Sequence, residues 1–546
     1  MMRFHGAAIL LGCLFAAVYT AEGVLSRNYN QDEFQVATGY LKDRDTTLFS
    51  RDLIWSQPEA VRNFHVPVRA LMRVSDGLTF GSVREPIDLF LLWLPVCVFL
   101  FFIGNYILCH QFTRDGLASL LAACAFMLAR RVIWDWWGAG PVFTTVSARG
   151  LVLSLLPLGL WSYLRWRDHI PSLACFFLVW GIISNLHPLS GWGFVELLGV
   201  TILWCGRFRW NAWCEVAVMT IATLAGSLPF ILIWSKVVHV PPELLADPEV
   251  IREFWAGFQG LRIPSWEFIW QFLQDIAIVS ALSLCGYAFW EQRIWRGSGD
   301  GLRPLYVLPC VTLALVVGVM LAGSALQASG VAVPIMVSEH SRHLKFIYLT
   351  LPVWMAIAIS TWFRLWALAS PLVRYGAPLA LLVLSMAINF PGHKLARTIL
   401  AQLDLAPVAT IEAHLERERL DRQDLEVAMW ARHHTPPDAV FYFDSYEFRY
   451  YARRSLVFCW FDGASVGFRP TRDLEEWLHR RDRLMPIKRA MASEAALAAA
   501  RLYQADFAVI PGDWKPPREK PVWENGKYRV YALMASRDPA PRPGAP

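Results

Sequence analysis

Residues 7–35 read AAILLGCLFAAVYTAEGVLSRNYNQDEFQ. The first part, Ala7 to Val24, is an apolar run long enough to cross a bilayer. AVYTAEG is a poor small-x-small cleavage site, so the run reads as an uncleaved first helix rather than a removed signal. The second part, NYNQDEFQ, places the adjacent carboxylates Asp32 and Glu33 just past that helix, at the start of a polar loop covering residues 28–87. Two neighbouring acids at a membrane surface, in a mostly lipid-soluble chain, point to chemistry rather than to holding a fold.

The 546 residues are 55% hydrophobic and only 18% charged, with a mean hydropathy of +0.35. Soluble domains carry about a quarter charged residues. The 26 Trp and 33 Phe suit many lipid–water boundaries. Composition therefore predicts a polytopic membrane protein. The formal charge of +6 is too small and too dispersed for nucleic acid. The cysteines fall mostly inside apolar runs and show no CxxC or CxxH spacing. Neither zinc nor a disulfide framework is indicated.

Apolar runs near 7–24, 88–109, 117–136, 148–164, 170–186, 191–206, 212–235, 276–291, 304–326, 346–363 and 371–390 predict about eleven transmembrane helices. One set of short connections holds Arg3, Arg114, Arg165, Arg167, Arg207, Arg209, Arg293, Arg296, Arg303 and Arg364. The other set, including DWWGAGPVFTTVSA and NLHPLSG, is poor in Lys and Arg. The positive-inside rule then puts the first set and the N-terminus in the cytoplasm. Loops 28–87, 236–275 and 327–345 and the tail from 391 are expected outside, on a bacterial inner membrane. In the first loop, VATGYLKDRD and PEAVRNFHVPVRALMRVSDGL read as amphipathic helices lying on the membrane face.

The expected organisation is a transmembrane domain over 1–390, a helical linker over 391–430 and a soluble α/β domain over 431–546. Strand-like AVFYFD, SLVFCW, DFAVIPG and YRVYALM alternate there with helical TRDLEEWLHRRDRLM and SEAALAAARLY. The tail has no GxGxxG, P-loop or GxSxG motif. Asp444 and Asp462, near strand ends, read as turn residues.

A first helix, an outer loop opening on the acidic pair of NYNQDEFQ, many spans and an outer C-terminal domain resemble the GT-C glycosyltransferases. TTLFSRDLIWS, WARHHTPPDAVFYFD and FRYYARRSLVFCW are similar to stretches of uncharacterised bacterial membrane proteins with this layout. The WWDYG motif of the oligosaccharyltransferases is missing, and no sugar-specific subfamily is matched. The resemblance implies an all-α membrane fold of GT-C type with a small extracytoplasmic α/β domain. It also implies sugar transfer from a polyprenyl-phosphate donor, with an acid outside the first helix binding the acceptor, a divalent metal ion, or both.

Asp32 and Glu33 are the candidate catalytic residues and candidate metal ligands. An acceptor alcohol is a weak nucleophile and needs a base, and a second carboxylate can hold the acceptor or an ion. The stretch SEHSRHLKF offers His340, Arg342, His343 and Lys345 as contacts for a donor phosphate; the same residues also suit lipid headgroups. Arg131 and Asp135 sit one helical turn apart at the outer end of the third span, where charges usually face a polar cavity. His187, in the turn ISNLHPLSG, is a candidate ligand for sugar or phosphate, or a structural turn residue. Asp52, in FSRDL, either binds a ligand or shapes the loop around Asp32. The expected function is transfer of a sugar from a lipid-phosphate donor to an extracytoplasmic acceptor, with membrane lipid as partner. The rivals are a transporter or lipid-handling protein and a non-catalytic subunit of a cell-envelope assembly.

Overall fold

The computed structural model describes residues 2–26, 29, 31–56, 66–128, 148–238, 244–251, 253–254, 303–328, 343, 346, 349–368, 370–376, 378–380, 408–463, 466 and 471–533. These residues are mainly helical and fall into two compact units. The first comprises Met1–Tyr29, Asp88–Leu232 and Trp255–Ala396; the second comprises Asn30–Ile87, Ile233–Phe254 and Arg397–Pro546.

The helices of the first unit are α1 (Met2–Ser26), then, beyond two helices of the first loop, α4 (Leu89–Thr113), α5 (Gly116–Leu128), α6 (Ala148–Trp166), α7 (Ile170–Ser184), α8 (Pro188–Cys205) and α9 (Trp210–Gly226). Helix α10 (Leu228–Val238) straddles the division, and α11 (Arg303–Ala328) and α12 (Leu351–Leu365) complete the set. Phe4–Val24, Pro86–Thr113 and Pro188–Cys205 are long and apolar enough to cross a membrane. Gly116–Leu128, Ile170–Ser184 and Leu351–Leu365 are shorter apolar helices. Large apolar side chains stand exposed along these helices, among them Leu10, Leu14, Ile182, Ile221 and Leu321. Such faces suit lipid and not water. The chain thus has the helices of a membrane protein. The expected eleven spans are not reached among the described residues, and the run 276–291 lies outside them.

Small residues let these helices approach closely. A Cβ on Gly181 would meet the Thr223 carbonyl oxygen at 2.3 Å, and one on Gly226 the Leu178 carbonyl oxygen at 2.1 Å. Asn185 fastens the same crossing. Its amide donates to the Gly181 and Gly226 carbonyls at 3.1 and 3.0 Å, and its oxygen accepts the Phe230 N–H at 2.9 Å. The single run expected over 212–235 is two helices that break at Ser227. Pro229 has no N–H to continue the ladder, and the Ser227 hydroxyl donates to the Gly181 carbonyl at 3.1 Å.

The second unit gathers pieces far apart in sequence. From the first loop come α2 (Gln31–Arg44), α3 (Val66–Leu78) and a 3-10 turn at Pro86–Asp88. The tail supplies α13 (Val408–His434), β1 (Val440–Tyr442), α14 (Tyr446–Ala452), β2 (Ser455–Leu456), α15 (Arg472–Arg489), α16 (Ser493–Leu502), β3 (Phe507–Pro511), β4 (Trp523–Glu524) and β5 (Tyr528–Ala532). The sheet order is β2-β1-β3-β5-β4. Strands β2, β1 and β3 are parallel, while β5 runs antiparallel to β3 and β4. The small α/β domain is present.

Its composition differs from the expected division at 390 and 431, because the tail shares one unit with loop segments. Segment 244–254 joins it through a bridge from Leu245 to Thr471, an Asp247 N–H donated to Glu475 at 2.7 Å, and Phe254 edge-on to Trp477. The helices expected in the first loop are α2 and α3, but α2 does not lie on a surface. Val36 to Lys42 are all buried, and Phe34 packs on Tyr450 and Tyr451 of α14. Helix α3 is two-faced, burying Val68 and Met72 and exposing Val74 and Leu78.

Candidate functional site

Asp32 and Glu33 occupy the first turn of α2, where carboxylates meet the positive end of the helix dipole. They do not act as a matched pair. Successive helical residues point about 100° apart; Asp32 is exposed, and Glu33 is completely buried. A shared divalent ion does not fit that divergence. Among the described residues no group of three or more His, Cys, Asp or Glu side chains is placed to hold a metal.

Asp52 is where the second unit is clasped together, and it is completely buried. One oxygen accepts the N–H groups of Ile54 and Trp55 at 3.1 and 3.2 Å, closing its own turn. The other accepts the Leu456 N–H of β2 at 2.9 Å and faces Arg449 Nε of α14 at 3.0 Å. The Arg449 guanidinium then forks onto Asp462, with Nη1 to Oδ1 at 2.9 Å and Nη2 to Oδ2 at 2.7 Å. The Tyr446 hydroxyl donates to Asp462, and its ring lies 5.0 Å from the guanidinium carbon. Burial opposes the Arg449 charge, but the two carboxylates outweigh it and hold its pKa well above the ordinary value. Burial likewise raises Asp462, against the pull of Arg449. Burial, helped by Asp462, drives Tyr446 well up. Asp52 is therefore a loop-shaping residue, not a substrate contact. Asp462 sits in the expected turn, its N–H donating to the Cys459 carbonyl at 3.1 Å, and is also an ion-pair partner.

Further contacts sew the first loop to the tail. Arg51 bridges Asp506 at 2.7 Å, and Asp506 also accepts the Val440 N–H at 2.8 Å. At the far end of the loop, Arg432 reaches Glu85 at 3.4 Å, and the Tyr450 hydroxyl accepts the Ile87 N–H at 3.0 Å. The first loop, segment 244–254 and the tail are therefore parts of one folded unit.

The remaining candidates separate. His187 is the N-cap of α8, and its Nδ1 accepts the Ser190 N–H at 3.2 Å; this is the turn role and accounts for its place before Pro188. His343 is buried in the first unit, with its ring against Gly193 and edge-on to Phe346. A Cβ on Gly193 would meet His343 Nε2 at 2.4 Å. Arg131, Asp135, His340, Arg342 and Lys345 lie outside the described residues.

Arg449 escaped the sequence reading because it sits in an aromatic-rich run, SYEFRYYARR, and its partners lie in FSRDL and CWFDG. The only local signal was a charge at a position flanked by large aromatics. Residues 422–484, from α13 to α15, are similar to a domain of unknown function, DUF6798. That stretch contains Tyr446, Arg449 and Asp462 but not Asp52. No curated protein matches the chain.

Proposed function

We propose that the chain is an integral membrane glycosyltransferase of GT-C type, moving a sugar from a polyprenyl-phosphate donor to an acceptor outside the cytoplasm. The observation that carries this reading is Asp32, exposed in the first turn of a helix that begins just beyond the first apolar helix. In the reaction, the acceptor O–H gives its proton to the Asp32 carboxylate and its oxygen forms the new bond to the anomeric carbon. The bond from that carbon to the lipid phosphate breaks, and the phosphate leaves as a stable anion that needs no acid. One in-line displacement inverts the anomeric carbon. Glu33, completely buried, leaves the proton transfer to its neighbour. His343, Arg342, Lys345 and Arg131 are the proposed contacts of the donor phosphate.

The experiment is sugar transfer in membranes containing the chain, with polyprenyl-phosphate sugars as donors. Asp32→Asn is expected to lower turnover by 100-fold or more, the scale of a lost general base, without changing the amount of folded protein. Full turnover in that variant would overturn the assignment. A second reading, a non-catalytic membrane subunit, draws on the burial of Glu33 and Asp52, which leaves one of the three candidate loop carboxylates open to a substrate. It predicts no transfer by the unaltered chain under any donor.

A further inference from the structure

Strands β1, β2 and β3 are parallel, and β2 and β3 lie on opposite sides of β1. The chain leaves β1 for one neighbour and later returns to the other. At such a reversal the loops leaving the carboxyl ends part, and a crevice opens between them; open α/β sheets place their ligands there. In this sheet the crevice is a small half-open cleft. Its aromatic walls are Tyr442 at the end of β1, Phe443 just after it, Phe458 after β2 and Trp514 after β3. Helix α15 adds Lys488 opposite Asp444.

The polar pair at the cleft is oriented. Asp444 Oδ1 accepts the Trp460 N–H at 2.8 Å, and Oδ2 meets Lys488 Nζ at 2.7 Å. The lysine side chain is half-exposed and can turn to a ligand. Burial and the nearby Asp444 push the Tyr442 phenol up to about 12, so it stays a neutral donor. Asp444 and Lys488 are the charged residues of this lining, so their charges cancel. An anion would meet Asp444 and a cation would meet Lys488. The ligand that suits the remainder is uncharged, has an apolar face for the rings, and carries both donors and acceptors at its edge.

We infer that this cleft binds a pyranose ring, with its C–H face on the aromatic wall and its hydroxyls bridging Asp444 and Lys488. Binding there is independent of Asp32 and of any transfer chemistry.

The test uses the purified full chain in detergent micelles and ligand-detected saturation-transfer NMR. The probes are the methyl glycosides of glucose, galactose, mannose and N-acetylglucosamine. N-acetylphenylalanine amide serves as an apolar, peptide-like comparison. At least one glycoside is expected to receive saturation on its ring protons. Lys488→Met and Asp444→Asn should each weaken it about ten-fold, the usual loss for a hydrogen bond to a charged group. Asp32→Asn should bind as the unaltered chain does, whether or not it transfers sugar. Protection of the buried Cys459 thiol from alkylation checks that each variant is folded. Three results would each overturn the inference. These are no glycoside saturation at about 10 mM, well above a 1 mM Kd; saturation that both variants leave unchanged; or binding of the phenylalanine amide alone.

Discussion

Replacing Arg449 by Met removes the guanidinium that pairs with two buried carboxylates. Methionine fills much of the volume, so the change is mainly electrostatic. Breaking a buried ion pair by removing one partner costs about 3–5 kcal/mol. Here Asp52 and Asp462 are both stranded, although Asp462 already leans toward its neutral form. We expect at least about 3 kcal/mol at pH 7, a large share of the 5–15 kcal/mol that folds a typical domain. Cys459 reports on it, because the thiol is completely buried and burial, with Asp462, pushes its pKa well up. It is unreactive until the unit opens. Mass-resolved alkylation of Cys459 should therefore accelerate about 100-fold or more in Arg449→Met, since each 1.4 kcal/mol is a factor of ten. Asp462, already raised by burial and now without its guanidinium, binds a proton more tightly when folded than unfolded, so the defect should shrink as pH falls toward 4. Adding Asp52→Leu and Asp462→Leu should recover most of the loss, because an apolar triad needs no counter-charge. Acceleration below about three-fold, under 1 kcal/mol, would refute the clasp.

Other expectations follow from the same contacts. Gly226→Leu drives a side chain into the Leu178 carbonyl and should lower the melting temperature of the detergent-solubilised chain, by about 1–3 kcal/mol of overpacking or more. Asn185→Ala leaves the Phe230 N–H and the Gly226 carbonyl without their side-chain partner and should cost about 1–3 kcal/mol in the same melt. Glu447 is raised by burial and by Asp424 and Asp421, with Lys527 opposing. A carboxyl raised in the folded state favours folding below its unfolded pKa, and that contribution is lost as pH rises through the folded value. The Glu447 side chain keeps contact with solvent although neighbouring groups crowd it, so screening limits the effect: Glu447→Gln should stabilise at pH 7 but not at pH 4, by about 0.5 kcal/mol or less; equal melting shifts at both pH values would contradict this.

The helices of the first unit were legible because apolar runs are local signals. The expected run 148–164 is α6, and 304–326 is α11. The break at Ser227 was not read, since one proline two residues after a serine scarcely alters an apolar average. In the tail, β1, β3, β5, α15 and α16 followed their two- and 3.6-residue periods, whereas the two-residue β4 gave no pattern to read. The loop helices were found, but not their burial. Whether Val36 to Lys42 face solvent depends on α14, hundreds of residues later. Asp52 shows the same limit. A lone Asp after Ser-Arg reads equally as ligand contact or turn, and only Arg449 and the Leu456 N–H decide between them. Asp32 stood out for its place after the first apolar run, and it is exposed; no spacing rule announced that Glu33 would turn inward.

The account rests on the first loop, segment 244–254 and the tail sharing one face of the membrane. Single cysteines at Asp45, Glu249 and Lys488, each on a background with the native cysteines removed, can be labelled by a membrane-impermeant maleimide in intact and in permeabilised cells. All three should label in intact cells. If any one labelled only after permeabilisation while another labelled before it, the second unit could not exist as described.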